Sequence, residues 1–457
     1  MARGKKKETL TPEERLQAAL VPASEQPYPV PENWCWTYLG CVSDVVTGGT
    51  PSKKHPEYYG GLFPFFKPTD LDFGRHVVEA SEYLTNEGKI VSRIIPEQST
   101  AVCCIGSIGK CGFLEVEGTT NQQINAAIPK FNPLFLYYYC NTHYFNEELW
   151  SKASATTISI VNKSKMESCV FPLPPLPEQL RIVNRIESLF AKLDEAKQKA
   201  QDALDSFEPR KAAILHKAFT GELTAQWRKE HDVGMESWEE KTINDIGDVK
   251  GGKRIPKGME LTYENTGHPY LKAGNLKQGT VIASGMMYVT DEILECIKNY
   301  TVSAGDVYIT NVGACIGDCG IIPPEYDGAN LTENAVKITN LKCNNKWLSY
   351  YLSGSSVQQN IKSMIASATL GKLSIANIKK IELNIPTSLD EQIEIVCILD
   401  NLFAKEQQAK DAAEGVLEQI DLIKKAILAR AFRGELGTND PSEESAQELI
   451  KNFIFKM

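Results

Sequence analysis

Two stretches of the chain carry apolar residues at alternating steps of four and three, the spacing of a heptad seam. The first stretch runs from Ile182 to Phe207 and the second from Ile395 to Ile420. Four heptads in phase favour a coiled coil, because the stripe of a lone surface helix drifts around its axis. Glu406 is the only charged residue at a seam position. Each helix is expected to span 31 residues, from Pro177 to Phe207 in the first stretch. The predicted pairing residues are Ile182, Ile186, Leu189, Leu193, Ile395, Leu399, Leu402 and Val416.

The two stretches belong to an internal repeat. AFTGEL at Ala218 returns as AFRGEL at Ala431, and 22 of the 49 positions from Leu176 to Thr224 are identical to those 213 residues later. The upstream blocks correspond more loosely, with GSIGKCG answered by GACIGDCG and NQQINAA by NLTENAV. Gly221 and Gly434 fit the left-handed residue that ends a helix. The chain is therefore two copies of one plan, a variable block followed by a helical block.

The variable blocks mix short β-type runs such as AVCCIGSI with helix-like segments such as NKWLSYYLSGSSVQQNIKSMI. They predict two α/β domains in a chain of mixed α+β class with a pseudo-two-fold repeat. The two long helices most simply pair as an antiparallel coiled coil, which lets each domain dock at an opposite end. The alternative is two independent helices, each buried in its own domain. The predicted segments are an arm at 1–32, α/β domains at 33–175 and 225–388, helical regions at 176–224 and 389–437, and a tail at 438–457.

The N-terminal arm carries a helix signature of its own. Thr11 and Glu14 form a Thr-x-x-Glu capping box with Pro12 at the first helical position, which predicts a short helix. The segment PASEQPYPVPENW that follows predicts an extended linker.

Composition narrows the class of protein. The chain has 457 residues, 42% of them apolar, but no run of 18 apolar residues, so we expect a cytoplasmic protein that does not cross a membrane. The net charge of -9 argues mildly against a protein that holds nucleic acid unaided, although KGGKRIPK at residues 250–257 carries only positive charges. The twelve cysteines form no C-x-x-C pair and are predicted to be reduced, and no metal site is expected.

Motifs for catalysis are missing. CIGSIGK differs from a phosphate-binding loop, because Cys104 replaces the first glycine and Cys111 the final Ser or Thr. The chain has no Asn/Asp-Pro-Pro-aromatic motif of an amino-methyltransferase, no Gly-x-Ser-x-Gly elbow and no H-E-x-x-H helix. We expect no catalytic residues in this chain.

Taken together, these motifs show that the chain resembles the specificity subunit of type I restriction-modification systems. The resemblance covers nearly the whole length and rests on WCWTYLGCVSDVVTGG from Trp34 to Gly49, PPLPEQ leading into RIVNRIESLFAKLDEAK, AFTGELTAQWR, and the same order in the second half. The second copy departs from the first in having GGKRIP for GGTPS and PTSLDEQ for PPLPEQ. Different recognition domains are what an asymmetric DNA target requires.

The resemblance implies that each α/β domain is a target-recognition domain reading one half of a split double-stranded DNA sequence. It implies that the helices set the spacing and dock two methylation subunits, which carry S-adenosylmethionine and methylate adenine. A restriction subunit, a translocase and nuclease that uses ATP and Mg, then joins. Two alternatives remain open, a two-headed coiled-coil adaptor that binds no nucleic acid and a specificity module of a related DNA-modifying assembly.

The candidate DNA-binding residues are polar or basic residues in predicted loops near glycines. Lysines are expected to hold phosphates, whereas Gln, Asn and Arg read base edges. The candidates are Lys53, Lys54, Lys67, Ser107, Lys110, Gln122 and Gln123 in the first domain, and Lys253, Arg254, Lys257, Lys272, Asn275 and Asn311 in the second.

Overall fold

The structure, a computed structural model, describes residues 11–154, 159–366 and 371–455. The first ten residues of the predicted arm and the last two of the predicted tail lie outside the described residues. The chain forms two compact units. Unit 1 contains the described residues up to Ala200 and from Gly415 onward, and unit 2 is Gln201–Glu414.

The described residues form twenty strands and sixteen α-helices. The strands are β1 Cys35–Tyr38, β2 Ser43–Thr47, β3 Tyr59–Phe66, β4 Glu82–Leu84, β5 Ser99–Cys103, β6 Cys111–Leu114, β7 Thr119–Thr120, β8 Ile124–Pro129, β9 Val170–Leu173, β10 Trp238–Thr242, β11 Asp248–Gly251, β12 Pro269–Leu271, β13 Leu276–Lys277, β14 Thr280–Val281, β15 Met287–Tyr288, β16 Val307–Thr310, β17 Cys319–Ile321, β18 Asn330–Leu331, β19 Ala335–Thr339 and β20 Glu382–Pro386. The helices are α1 Pro12–Ala19, α2 Leu39–Val42, α3 Asn86–Ile90, α4 Pro133–Cys140, α5 His143–Lys152, α6 Lys163–Glu167, α7 Leu176–Asp205, α8 Phe207–Phe219, α9 Ala225–Glu230, α10 Ile243–Ile246, α11 Asp291–Ile297, α12 Asn345–Ser353, α13 Ser355–Ala366, α14 Ile375–Lys379, α15 Leu389–Ala431 and α16 Ala446–Phe455.

The two units repeat one sheet topology. Unit 1 has an antiparallel sheet of order β2-β8-β5-β6, and unit 2 has β11-β19-β16-β17 with the same directions. A smaller sheet, β4-β3-β7 in unit 1 and β15-β12-β18 in unit 2, combines one antiparallel and one parallel pair in both copies. The antiparallel pairs β1-β9 and β10-β20 complete the correspondence. The predicted mixed fold class with an internal repeat is confirmed.

Within unit 1, the start of α7 lies antiparallel to the chain at the end of α15. Arg181, in the second turn of α7, forms two hydrogen bonds of 2.8 Å with Glu443, beyond the end of α15. Asp194, further along α7, pairs with Lys424 inside α15 at 2.5 Å. Sequence number therefore rises along α7 as it falls along the opposite segment.

Unit 2 contains the complementary pairing, between α8 with α9 and the first part of α15. Arg210 in α8 lies 2.9 Å from Glu406, and Arg228 in α9 lies 2.7 Å from Glu391, so these segments also run antiparallel. The charge of Glu406, which interrupts the apolar seam in the sequence, is matched by the guanidinium of Arg210.

The predicted pairing residues differ in burial. Ile182, Ile186, Ile395 and Leu399 are fully buried, Leu189, Leu193 and Leu402 are half-buried, and Val416 is 41% exposed. The next residue, Leu417, is more buried than Val416. The mismatch is local, because the next seam residue, Ile420, is only 2% exposed.

The prediction of two helices of equal length is wrong. The first copy is interrupted at Ser206, between α7 and α8, whereas α15 runs for 43 residues without a break. Pro209 in the first copy has no backbone N–H, and its ring would clash with the carbonyl four residues earlier, at Asp205, where α7 ends. The second copy has Leu422 at this position and continues as one helix.

The repeated helix ending has the predicted geometry. Gly221 and Gly434 adopt positive φ angles of 78° and 74°, which confirms their role after the helix ends. The phenylalanine of each motif packs on the aromatic cluster of an α/β domain. Phe219 contacts Trp347 in unit 2 at 5.6 Å between ring centroids, and Phe432 contacts Phe135 in unit 1 at 4.9 Å.

Each unit also has a buried carboxylate at the start of a long helix. Glu178 accepts a hydrogen bond of 2.7 Å from the indole of Trp34. Glu391 accepts one of 3.1 Å from Trp238 and one of 2.7 Å from Arg228. Both carboxylates are fully buried. The repeated glutamate therefore ties the start of the first strand of each α/β domain to its helix.

The glutamine that follows each glutamate has an equally regular role. The side-chain oxygen of Gln179 accepts from the backbone N–H of Asn132 at 3.2 Å, and that of Gln392 from Asn344 at 2.7 Å. The two asparagines are the N-caps of α4 and α12. Each glutamine amide also donates to a proline carbonyl just before its own helix. The Glu-Gln pair of LPEQ and LDEQ thus holds the α/β domain on the helix.

The N-terminal arm and the C-terminal tail pack together in unit 1. The capping box predicted at Thr11 is present, with both of its hydrogen bonds, and starts α1. Ala19 of α1 is buried in the same core cluster as Ala446 and Ile450 of α16. Within the described ranges, no helix is both long enough and apolar enough to cross a membrane.

Candidate nucleic-acid interface

Four loops of unit 1 meet at one edge of its sheets, after strands β2, β3, β5 and β7. Three backbone hydrogen bonds join them, from Gly49 to Thr120 (2.8 Å), from Asn121 to Phe66 (3.1 Å) and from Cys104 to Gln123 (2.7 Å). All three bonds have one end on residues 120–123 at the end of β7, so this segment joins the other three loops into one backbone surface, which we call loop set 1.

Unit 2 builds the same surface from β11, β12, β16 and β18. The matching hydrogen bonds run from Lys253 to Leu331 (2.8 Å), from Thr332 to Leu271 (3.0 Å) and from Asn311 to Asn334 (2.9 Å). We call this surface loop set 2. The matching hydrogen bonds identify which residues of the two loop sets are equivalent. The two loop sets share one backbone arrangement but differ in their side chains.

One turn in each loop set is held by a buried acidic or amide residue. The Asp70 carboxylate accepts from the Lys67 N–H at 2.7 Å, and the Asn275 side-chain oxygen accepts from the Lys272 N–H at 3.3 Å. The Asn275 amide nitrogen is also used, since it donates to two carbonyls after β14 at 3.0 and 3.1 Å. Asn275, expected at the DNA surface, is only 2% exposed and fixes the loop.

Several predicted residues of the first domain lie on or beside loop set 1. Lys53, Lys54, Ser107 and Gln122 are exposed, and Gln123 is half-buried. The side-chain oxygen of Gln122 accepts from the Thr50 hydroxyl at 2.5 Å, a bond that does not use the amide nitrogen. Two lysines are tied to acidic neighbours, Lys67 to Glu82 at 2.8 Å and Lys110 to Asp72 at 2.7 Å.

The predicted residues of the second domain differ more in solvent exposure than those of the first domain. Lys253, Arg254 and Lys257 are exposed on the loop after β11, and Lys272 is half-buried. Asn311 is only 4% exposed, and its side-chain oxygen has no hydrogen-bond partner among the described residues. Loop set 2 therefore brings the three basic side chains together, whereas Asn275 and Asn311 lie beneath the surface.

Two residues of the loop sets, Thr50 and Glu333, were not among the predicted residues and bond to predicted ones. Glu333 binds Arg254 with 2.5 Å between Oε1 and Nε, and Thr50 binds Gln122 in the equivalent place. Burial opposes ionisation of Glu333, but the hydrogen bond and charge of Arg254 outweigh it and lower the pKa of the carboxyl. The sequence feature that could have located these loops is the double glycine just before each of them, at residues 48–49 and 251–252.

The cysteines do not add a metal-binding group. All twelve are free thiols, six of them buried. Burial raises the pKa of Cys104 and of Cys111 to about 12, so both stay protonated at neutral pH. In the part of the chain that the structure describes, no cluster of three His, Cys, Asp or Glu side chains has the geometry to hold a metal ion.

Comparison with known proteins identifies the family. The profile of the family described as "Type I restriction modification DNA specificity domain" matches residues 31–204 and again 235–414. The chain belongs to this family. The duplicated match coincides with the duplicated sheets and loop sets, so the resemblance inferred from the sequence is confirmed.

Individual relatives agree over most of their length. The type I restriction enzyme EcoKI specificity subunit of Escherichia coli K12 is 21% identical over 441 residues, which span 89% of this chain and 90% of that protein. The HsdS subunit from Thermoanaerobacter tengcongensis has a TM-score of 0.63 at 20% identity and covers 90% of this chain and 100% of its own. A chain from the structure on complex assembly and conformational transition of the type I R-M system reaches 0.69 at 19% identity, with the same coverage.

Proposed function

We propose that each unit of this DNA sequence-specificity subunit reads one half of a bipartite double-stranded DNA target through its loop set. The observation that carries the proposal is the duplication of one backbone frame with different side chains. A shared frame presents both surfaces to the same kind of ligand, whereas different side chains at equivalent positions suit two different half-sequences.

The charge of the loops supports contact with a polyanion despite the net charge of -9. Lys53 and Lys54 in unit 1, and Lys253 and Lys257 in unit 2, are exposed and suited to phosphates. Gln122 and Arg254 carry the donors that recognise base edges in the major groove. The lysines would set the affinity, and the other two residues would contribute to the choice of sequence.

We further propose that each long helix docks one methylation subunit at its start. Leu176 and Leu180 in α7 are 44% and 53% exposed, and the repeat preserves them as Leu389 and Ile393 in α15, at 54% and 42%. Residues four apart share one face of a helix. Scattered exposed leucines are common, but an exposed apolar pair kept in both copies fits two copies of one partner.

Catalysis is assigned to the partners. S-adenosylmethionine would be held by the methylation subunits, and ATP with Mg by a restriction subunit that is translocase and nuclease. The present chain would supply recognition, the spacing of the two half-sites through its long helices, and assembly in the cytoplasm. It would contribute no catalytic residue.

An exchange of one recognition domain tests the proposal. The block from Trp34 to Phe171 is replaced by the matching block of a relative, and the chimaera is expressed with methylation subunits in a host that lacks DNA methylation. Sequencing of the methylated bases should show one half of the target changed and the other half retained. A chimaera that assembles but changes both halves, or neither, would contradict independent reading by the two units.

A further inference from the structure

Arg254 is held in one orientation by a buttressed carboxylate. Its Nε lies 2.5 Å from Oε1 of Glu333, whose side chain is only 29% exposed. Oε2 of Glu333 is 3.3 Å from the Thr332 hydroxyl and 3.4 Å from the Tyr270 hydroxyl. The single hydroxyl proton of Tyr270 is donated to the carbonyl of Lys253 at 2.8 Å, so Thr332 is the hydroxyl that donates to Glu333. The carboxylate is thereby fixed to loop set 2, and the guanidinium is fixed to the carboxylate.

The rest of the guanidinium is free for a ligand. The Arg254 side chain is 76% exposed, and its bond to Glu333 uses Nε. Neither terminal nitrogen has an acceptor within the residues that the structure describes. Two parallel N–H groups of an arginine match the O6 and N7 acceptors of guanine in the major groove. A buttressed arginine also loses less side-chain freedom on binding than a mobile one.

The equivalent place in unit 1 has different chemistry. Thr50 follows Gly49, whose N–H binds Thr120, just as Arg254 follows Lys253, whose N–H binds Leu331. Gln122 and Glu333 each lie two residues beyond those acceptors. The pair Thr50–Gln122 therefore occupies the position of Arg254–Glu333, with a neutral hydroxyl and amide in place of an ion pair.

The stability of the fold does not explain the ion pair. An exposed salt bridge adds little to stability, because solvent screens the charges and both side chains lose freedom. Unit 1 keeps the same backbone frame without any charge at this place. Because the loop backbone forms in unit 1 without an ion pair, we attribute the Arg254–Glu333 pair to binding of DNA by loop set 2.

We propose that Arg254, oriented by Glu333, reads a guanine in the half-sequence bound by unit 2, and this inference rests on the proposed function. Arg254 would be the specificity-determining residue, and Glu333 a positioning residue that does not touch the base. The position of Thr50 and Gln122 would serve the other half-sequence with a different base preference.

The test is sequencing of methylated bases in cells that express the chain with its methylation subunits. The variants are Arg254→Gln, Arg254→Lys and Glu333→Gln. Lys241→Gln is the matched control, because Lys241 forms an ion pair with Glu239 at 3.0 Å on β10, a strand that contributes no loop to the loop set. Loss of one bidentate contact should reduce the preference for that guanine by roughly ten- to a hundredfold.

The expected result is a guanine in one half-sequence that becomes degenerate in Arg254→Gln, while the other half stays intact. Glu333→Gln should weaken the same guanine preference less, and Lys241→Gln should leave the target unchanged. An unchanged target in Arg254→Gln overturns the inference. A uniform loss of methylation at all sites, with the same base preference, also overturns it, because that is the behaviour of a phosphate contact.

Two further outcomes are distinguishable. If Arg254→Gln does not assemble with the methylation subunits, Arg254→Lys decides by the same readout, since it keeps the positive charge beside Glu333 but lacks the paired N–H groups. If the unaltered chain produces no bipartite target at all, the proposed function fails. In that case the inference fails with it.

Discussion

The indole nitrogen of Trp34 donates to the buried carboxylate of Glu178, 144 residues away in sequence, at 2.7 Å. Trp238 makes the equivalent bond with Glu391 in unit 2 at 3.1 Å. Both tryptophans lie at the start of the first strand of a recognition domain, and both glutamates lie in the first turn of a long helix. The loop sets therefore rest on domains that are fixed to the helices by buried polar contacts.

Replacement of Glu178 tests this attachment. Glu178→Ala removes the acceptor of the buried Trp34 indole and one of the two acceptors of the half-buried Asn439 amide, and we expect a loss of roughly 3 kcal/mol in the free energy of unfolding. Urea denaturation followed by tryptophan fluorescence measures it. Glu195→Ala, on the exposed face of the same helix, is the control and should leave the unfolding midpoint unchanged. Equal midpoints for the two variants would show that the buried bond does not hold the domain.

Docking of methylation subunits is tested at the repeated exposed residues. Leu180→Asp and Ile393→Asp each place a charge on one proposed docking face, so each single variant should bind one methylation subunit and the double variant none. Because the native side chains are exposed, the fold should persist. Mass photometry counts the subunits bound.

Leu422→Asp is the control for the docking variants. Leu422 is 64% exposed on α15, and its counterpart in the repeat is Pro209, so it belongs to no repeated apolar pair. It should retain two methylation subunits. Retention of two subunits by the double variant Leu180→Asp, Ile393→Asp would place the docking surface elsewhere.

The length of the helices is expected to set the gap between half-sites. Seven residues inserted after Ala200 in α7 and after Ala413 in α15 keep the heptad phase and lengthen each helix by about 10 Å. This equals about 3 base pairs at ~3.4 Å each, so the preferred gap should grow by up to that amount. It grows less if the DNA twists to follow the rotated half-site. Sequencing of methylated bases reads the gap directly, and robust methylation at the original gap would count against a ruler.

The isolated chain is expected to be catalytically silent. Purified without partners and supplied with S-adenosylmethionine, ATP, Mg and DNA, it should show no methyl transfer, nucleotide hydrolysis or DNA cleavage. Addition of the methylation subunits should restore methyl transfer. Methylation by the chain alone, at a rate that follows its concentration through a further purification step, would contradict the division of labour.

The sequence by itself determined the features that depend on local spacing and on comparison of the chain with itself. The repeat, the heptad seams, the capping box at Thr11 and the left-handed glycines Gly221 and Gly434 follow from side-chain period and backbone sterics over a few residues. The break at Ser206 could also have been predicted from Pro209. The apolar spacing alone does not reveal the break, because the seam positions keep their steps of four and three up to Phe207.

Only the tertiary structure decided which polar loop residues are buried and which are exposed. Asn275 and Arg254 are both polar residues in glycine-rich loops. Asn275 is buried and donates hydrogen bonds to two carbonyls after β14. Arg254 is exposed and is oriented by Glu333, 79 residues away. Such partners are brought together by strand pairing across long stretches of chain, and local sequence does not encode their distance. Polarity alone therefore does not separate a side chain that holds the loop from one that is free to read DNA.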